Sequence, residues 1–312
     1  MNKPPSLREL PELPPEICEA ALNGQLVIFV GAGVSKLLGL PSWNELAKDV
    51  LEWARSKGWI DFSELEQLQL LDPKKQLSIA KLIAEENQHD LGLAKFFKEK
   101  SEENSIYKSI NDIGSVCVTT NYDELLAPRF HEKRNDPSMS IKPNDIHRIS
   151  DKNDFFAKFL DQPGTVIHLH GAISRPDTMV ITTKQYLEHY DHENVQHFLH
   201  ELFSKKIVLF IGYGLEEVEI LEHILRRGAV ESTTDRRRFA LQGYFKSQNP
   251  LYENLYKYYS RSFGVHLIGF VRDHEDYKQQ EIILKNWVPK MQIKKPLLAD
   301  DIARIDEVLG NG

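Results

Sequence analysis

The sequence predicts an α/β fold built on a mostly parallel, doubly wound sheet. Three observations carry that expectation. Short β-branched runs without polar alternation recur along the chain, as expected of strands covered on both faces. Helical-period stretches separate most of them, which implies βαβ units. Two of the runs end in glycine turns, and in such sheets ligands bind beyond the carboxyl ends of the strands.

The elements follow in order. Pro14-Pro15 with EICEAALNG reads as a short helix that starts on proline and stops at Gly24. Residues 25–30, QLVIFV, form the first central strand. Ser42-Trp43-Asn44-Glu45 fits a capping box, and Trp43, Leu46, Ala47, Val50, Leu51 and Ala54 recur at helical spacing, predicting a helix over about 43–57. Residues 61–112 keep a helical period with no strand-like run, so about 44–112 reads as a helical insertion. Strand patterns return at 115–119, 165–169, 178–182, 206–211, 238–245 and 265–270. The polar stretch 127–163, with Pro128, Pro137, Pro143 and Pro163, reads as a small lid region. Beyond 273, KQQEIILKNWV and LADDIARIDEVL make a C-terminal helical tail over 273–312.

Composition narrows the classes. The 312 residues carry 39 Lys+Arg against 46 Asp+Glu, a net charge of −7, which excludes a uniformly basic nucleic-acid binder. Only Cys18 and Cys117 are present, too few for a disulfide framework or a four-cysteine zinc module, so no metal site is expected and the compartment reads as reducing. No run approaches the roughly 18 apolar residues of a membrane helix, and the proline-rich start lacks the pattern of a signal peptide. The expectation is a cytoplasmic protein away from membranes.

Four motifs stand at strand ends. Gly31-Ala32-Gly33-Val34-Ser35 follows the first strand, where glycines let backbone amides approach a pyrophosphate. It is not the dehydrogenase fingerprint, because Lys36 stands where the third glycine would fall, and it lacks a P-loop ending; a tight turn without a ligand fits equally. Thr119-Thr120-Asn121-Tyr122-Asp123 follows the strand SVCV. Asn121 can donate and accept, and Asp123 can hold a ribose hydroxyl or orient Asn121, although these types also serve as helix caps. His168-Leu169-His170-Gly171 ends another strand: His170, at the edge, is the candidate proton acceptor, and His168 reads as a hydrogen-bonded core histidine. Gly212-Tyr213-Gly214 is a second glycine turn opening a helix, whose Glu216 and Glu217 are explained by the helix dipole. His197/His200 reads as a solvated helix face and Arg236-Arg237-Arg238 as a solvated loop.

Together, GAGVS-KLLGLPSW at 31–43, TTNYD at 119–123, HLHG at 168–171 and IGYG at 211–214 resemble the sirtuin family over about residues 20–270. KLLGLPSWNEL and MVITTKQYLEHY look like the divergent bacterial sirtuin-like domains, many of which occur in anti-phage defence systems. The resemblance implies a Rossmann-like domain over 1–272. It implies that NAD is bound by Gly31, Ala32, Gly33, Ser35, Trp43, Thr119 and Thr120, with Gly212, Tyr213 and Gly214 on the adenosine side. Asn121, Asp123 and His170 would be catalytic. The departures are the missing cysteine module, Ser42-Trp43-Asn44 in place of the deacylase Phe-Arg, and Thr120 in place of its glutamine; they point away from peptide deacylation.

The activity so implied is NAD hydrolysis to ADP-ribose and nicotinamide, depleting NAD in infected cells. The resemblance also implies homo-oligomers or a HerA-type ATPase partner. A non-catalytic NAD or ADP-ribose-binding subunit stays open, as does a nuclease subunit reaching nucleic acid only within a complex.

Overall fold

Strand β1 (Leu26–Val30) is buried along its whole length, as a five-residue apolar run must be when helices cover both faces of a parallel sheet. It lies at the centre of a seven-stranded sheet of order β3-β4-β2-β1-β5-β6-β7, in which every pairing is parallel. The other strands are β2 (Val116–Thr119), β3 (Arg148–Ile149), β4 (Val166–His168), β5 (Ile207–Ile211), β6 (Arg238–Tyr244) and β7 (Val265–Val271). The computed structural model describes residues 5–97, 106–127, 148–215, 217–227 and 236–292.

Alternate residues of the strands feed two cores. Val27, Phe29, Val118, Val208 and Phe210 pack under α8 (Glu193–Lys205), α9 (Val218–Arg227) and α10 (Asn249–Phe263). Leu26, Ile28, Val30, Leu209 and Ile211 pack against α1 (Pro15–Leu22), α6 (Ile106–Ile113) and α11 (Gln279–Met291). The helical insertion makes a third core from α3 (Trp43–Ser56), α4 (Phe62–Leu68) and α5 (Pro73–Glu86). α3 begins at the expected capping box: Ser42 Oγ accepts from the Glu45 amide, and Glu45 Oε2 accepts from the Ser42 amide at 2.8 Å. α11 realises the first tail segment, whereas LADDIARIDEVL lies outside the described residues.

Two expectations change. Residues 178–182 form no strand, because Gln185 Oε1 accepts from the amides of Ile181 and Thr182 at 3.1 and 3.0 Å, and Thr182 caps α7 (Thr183–Tyr190). Those amides serve a helix start instead of a ladder. The expected lid contains an edge strand, β3, and its Phe155 and Leu160 are core residues; 128–147 lie outside the described residues.

The chain order places a topological switch at β1. The connection leaving β1 runs toward β2, whereas β5 returns on the other side of β1 and runs on to β6. The loops after β1 and β5 therefore part around a crevice, the usual ligand position in such sheets.

Candidate functional site

Val30 stands opposite Ile211, so the turns after β1 and β5 meet at one edge. There they interlock. The Gly31 amide donates to Ile211 O at 3.0 Å and the Gly33 amide to Gly212 O at 2.8 Å. A Cβ on Gly31 or Gly33 would lie 2.6 or 2.7 Å from Gly212 O. Gly212 has φ +61, and its own Cβ would lie 2.5 Å from the Val34 nitrogen. With their amides engaged, Gly31 and Gly33 supply close approach of two backbones rather than free donors. Beside the interlock opens a cleft of about 1040 Å³, lined by Ala32, Gly33, Trp43 and Thr120 on one side and by Gly212, Tyr213, Gly214, Glu217, Gln242 and Tyr244 on the other. Its volume is at the upper end of the range for ligand sites, about 300–1,000 Å³.

A second, smaller pocket shares Ala32, Trp43 and Thr120 with the cleft and adds Ser35, Asn121 and Asp123. Asn121 Nδ2 donates to Gly31 O at 3.1 Å and Ser35 Oγ at 2.8 Å, with Tyr107 OH at 3.3 Å. A carbonyl can only accept, so the contact to Gly31 O fixes which end of the amide is nitrogen. Oδ1 is left without a partner among the described residues. Ser35 Oγ passes the chain on to Asp123 Oδ2 at 2.7 Å, which also accepts from Tyr107 OH at 3.3 Å. Asp123 thus orients Asn121 through Ser35 and Tyr107. Burial raises its pKa, and the hydroxyl donors oppose that rise.

The strand behind holds the Asn121 backbone. Thr119 Oγ1 donates to Val30 O at 2.9 Å and accepts from the Asn121 amide at 3.0 Å, so its hydroxyl ties β2 to β1. Arg148 Nη1 donates to His168 Nε2 at 2.8 Å, which leaves Nδ1–H to donate to Asn121 O at 3.1 Å. Burial, then the Arg148 charge, push the His168 pKa down to about 3, so this ring is a neutral structural link.

His170 is not brought to either pocket wall. It is fully buried, with Nε2 2.8 Å from Tyr190 OH and Nδ1 3.3 Å from Tyr186 OH. Burial, then the charges of His189 and Lys74, hold its pKa well below the ordinary value. Tyr186 connects it to the site, packing on Trp43 with ring centroids 6.1 Å apart.

Three contributors escaped sequence reasoning. Tyr107 comes from the insertion and has no motif around it. Lys74, on α5, pairs with Glu219 at 2.7 Å and lies 4.0 Å over the Tyr186 ring. Glu217 lines the cleft, where burial pushes its carboxyl up to about 7; its place directly after a glycine turn was the available signal. The arginine run is not a solvated loop: Arg238 is buried and donates to Phe203 O, Arg237 donates to Ser204 O, and Arg236 pairs with Glu16. Among the described residues, no group of three or more His, Cys, Asp or Glu gathers as a metal site would require, and no helix is long and apolar enough to cross a membrane.

Residues 115–264 match the SIR2-like domain family. The chain is 25% identical over 304 residues to an NAD(+) hydrolase ThsA of Cytobacillus dafuensis, covering 94% of this chain and 54% of that protein. It is 26% identical over 213 residues to defense-associated sirtuin 2 of Bacillus subtilis, covering 66% of this chain and 19% of that one. With an NAD(+) hydrolase ThsA of Enterococcus faecium it shares 27% over 220 residues, 66% of this chain and 40% of the relative. The chain thus spans about half or less of these relatives' lengths. The matched segment holds β2 to β6, and β1 with its glycine turn completes the same sheet between β2 and β5. Residues 115–264 are thus similar to SIR2-like domains, and they lie on a parallel-sheet core.

Proposed function

We propose that this protein hydrolyses NAD to ADP-ribose and nicotinamide, as a cytoplasmic effector of anti-phage defence that acts by depleting NAD. The observation that supports it best is Asn121: its amide nitrogen is held by Gly31 O and Ser35, and its oxygen is left over at a pocket joined to a dinucleotide-sized cleft. The names of the relatives point the same way.

In the reaction the C1′–N bond breaks with its electron pair going to the pyridinium nitrogen, so nicotinamide leaves neutral. Water oxygen bonds C1′ and a proton is released. Positive charge develops on the ribose, and a fixed carbonyl dipole such as Asn121 Oδ1 stabilises it or holds the water. Asp123, Ser35 and Tyr107 act as positioning residues for Asn121. The glycine turns, Ala32, Trp43 and Thr120 shape the passage between the two halves of the ligand. His170 is a weak base while burial holds its pKa down, and it serves as acceptor only once Tyr186 or Tyr190 gives way and opens the ring, because both ring nitrogens are engaged in the closed arrangement. That requirement gives an assembly step, with another copy or a HerA-type ATPase, something to control.

The test follows NAD and nicotinamide over time with the purified protein, alone and with co-purifying partners. Wild type should release nicotinamide, and Asn121→Ala and His170→Ala should not. NAD that is bound but never consumed in any assembly state would replace hydrolysis with a binding role.

A further inference from the structure

Tyr186 stands between His170 and the pocket walls. Its hydroxyl is 3.3 Å from His170 Nδ1, and the two rings lie edge to face with centroids 4.9 Å apart. It also packs on Trp43, which lines both the pocket and the cleft. Tyr190 holds the other ring nitrogen more closely, at 2.8 Å from Nε2. A hydrogen bond at 3.3 Å is weaker than one at 2.8 Å, so Tyr186 is the partner that parts more readily, and its departure frees Nδ1.

What keeps Tyr186 in place comes from the helical insertion. Lys74, in the first turn of α5, lies 4.0 Å over the Tyr186 ring and pairs with Glu219 of α9 at 2.7 Å. An ammonium at that distance from a ring face is attracted to it, so Lys74 holds the tyrosine from the side away from the backbone of α7. One turn further along α5, Ser78 Oγ donates to Lys74 O at 2.6 Å and accepts from the amide of Thr183, the first residue of α7, at 2.9 Å. Helix α5 therefore grips α7 at Thr183 and at Tyr186, which are three residues apart and so share a face of that helix.

The same lysine acts on His170 through space. Its charge is one of those that hold the imidazole pKa down, so the contact that pins Tyr186 also keeps the shielded ring a weak base. The pair is not sealed in a core: the side chains of Lys74 and Glu219 are 31% and 30% exposed. Contacts of that kind open locally without the fold being lost.

We propose that α5 is a latch on this site: Lys74 holds Tyr186 against His170, and the histidine is released when α5 draws away from α7. The proposal rests on the reading of His170 as the proton acceptor for its purpose, but the movement is measurable without turnover.

The probe is diethyl pyrocarbonate, which acylates an accessible, unengaged imidazole nitrogen. Modification of the full chain is followed by peptide fragmentation in a mass spectrometer, with His274, whose side chain is 74% exposed, as the internal reference. Wild type should react at His170 far more slowly than at His274. Lys74→Met keeps the apolar stem and removes the charge; it should speed His170 modification about fivefold, the scale of one cation–π contact plus one part-exposed ion pair. Nicotinamide release by the isolated chain should rise with it. Lys74→Arg keeps a cation for the ring and for Glu219, and should stay within about twofold of wild type. A wild-type His170 as reactive as His274, an unchanged His170 rate in Lys74→Met, or equal acceleration by Lys74→Arg would overturn the latch. Faster modification with turnover below wild type would overturn it too, because the lysine would then serve the open site. Faster modification in Lys74→Met with no NAD consumed in any assembly state would sink hydrolysis and leave the latch standing.

Discussion

Replacing Gly212 with alanine separates the two physical costs that make the glycine interlock. The first is conformational: φ +61 is left-handed, which costs a side-chain-bearing residue roughly 1–2 kcal/mol. The second is overlap. The new Cβ would lie 2.5 Å from the Val34 nitrogen, 2.6 Å from Val34 Cγ2 and 3.1 Å from the Gly33 carbonyl carbon. A side-chain methyl can rotate, but the nitrogen and carbonyl carbon belong to the opposing turn, so the two backbones must part. Overpacking of this kind typically costs a further 1–3 kcal/mol, roughly. The total is about 2–5 kcal/mol, and parting the turns also stretches the 2.8 Å bond from the Gly33 amide to Gly212 O. Gly114 provides the control. Its φ is +74, but nothing lies within 4 Å of its Cβ position, so Gly114→Ala should show the conformational cost alone. Urea denaturation of both variants measures the difference, and titration with ADP-ribose reads the effect on the cleft. Equal destabilisation by the two substitutions would refute the overlap argument.

Three further outcomes are expected. Asn121→Ala should lower NAD turnover about 10²–10³-fold, the scale for losing one preorganised transition-state contact, in a steady-state nicotinamide-release assay. Ser35→Ala breaks the link from Asn121 to Asp123 and should destabilise the fold by about 1–3 kcal/mol in denaturant titration, while lowering kcat more than it raises KM. Glu217 makes stability depend on pH. Its carboxyl is raised from 4.5 to about 7, so the folded state holds a proton that the unfolded chain releases between those values. The full stability is present below pH 4.5 and falls by at most roughly 3 kcal/mol as pH rises through 7. Melting curves should show Glu217→Gln matching wild type near pH 4.5 and exceeding it at pH 8; a pH-independent difference would contradict the assignment.

Local chemistry was legible in the sequence wherever it acts over a few residues. The run LVIFV announced a strand buried on both faces, and Ser42 with Glu45 announced the start of α3. Glycines at 31, 33 and 212 announced turns at strand ends. The same local reading misplaced 178–182, because a β-branched run followed by a capping box offers its amides to two competing partners, and Gln185 took them. What only the tertiary structure decided is pairing across long separations. Ser35, Tyr107 and Asp123 meet from α2 (Ala32–Lys36), α6 and the loop after β2, and no spacing records that meeting. His170 and Glu217 exchanged prominence for the same reason. Strand alternation places a histidine on a face but not behind Tyr186 and Tyr190, and the helix dipole explains an acidic residue without showing that it faces a cleft. Periodicity and capping are set by neighbours along the chain. Burial, orphaned polar atoms and the close approach of two turns depend on which elements the folded sheet brings side by side.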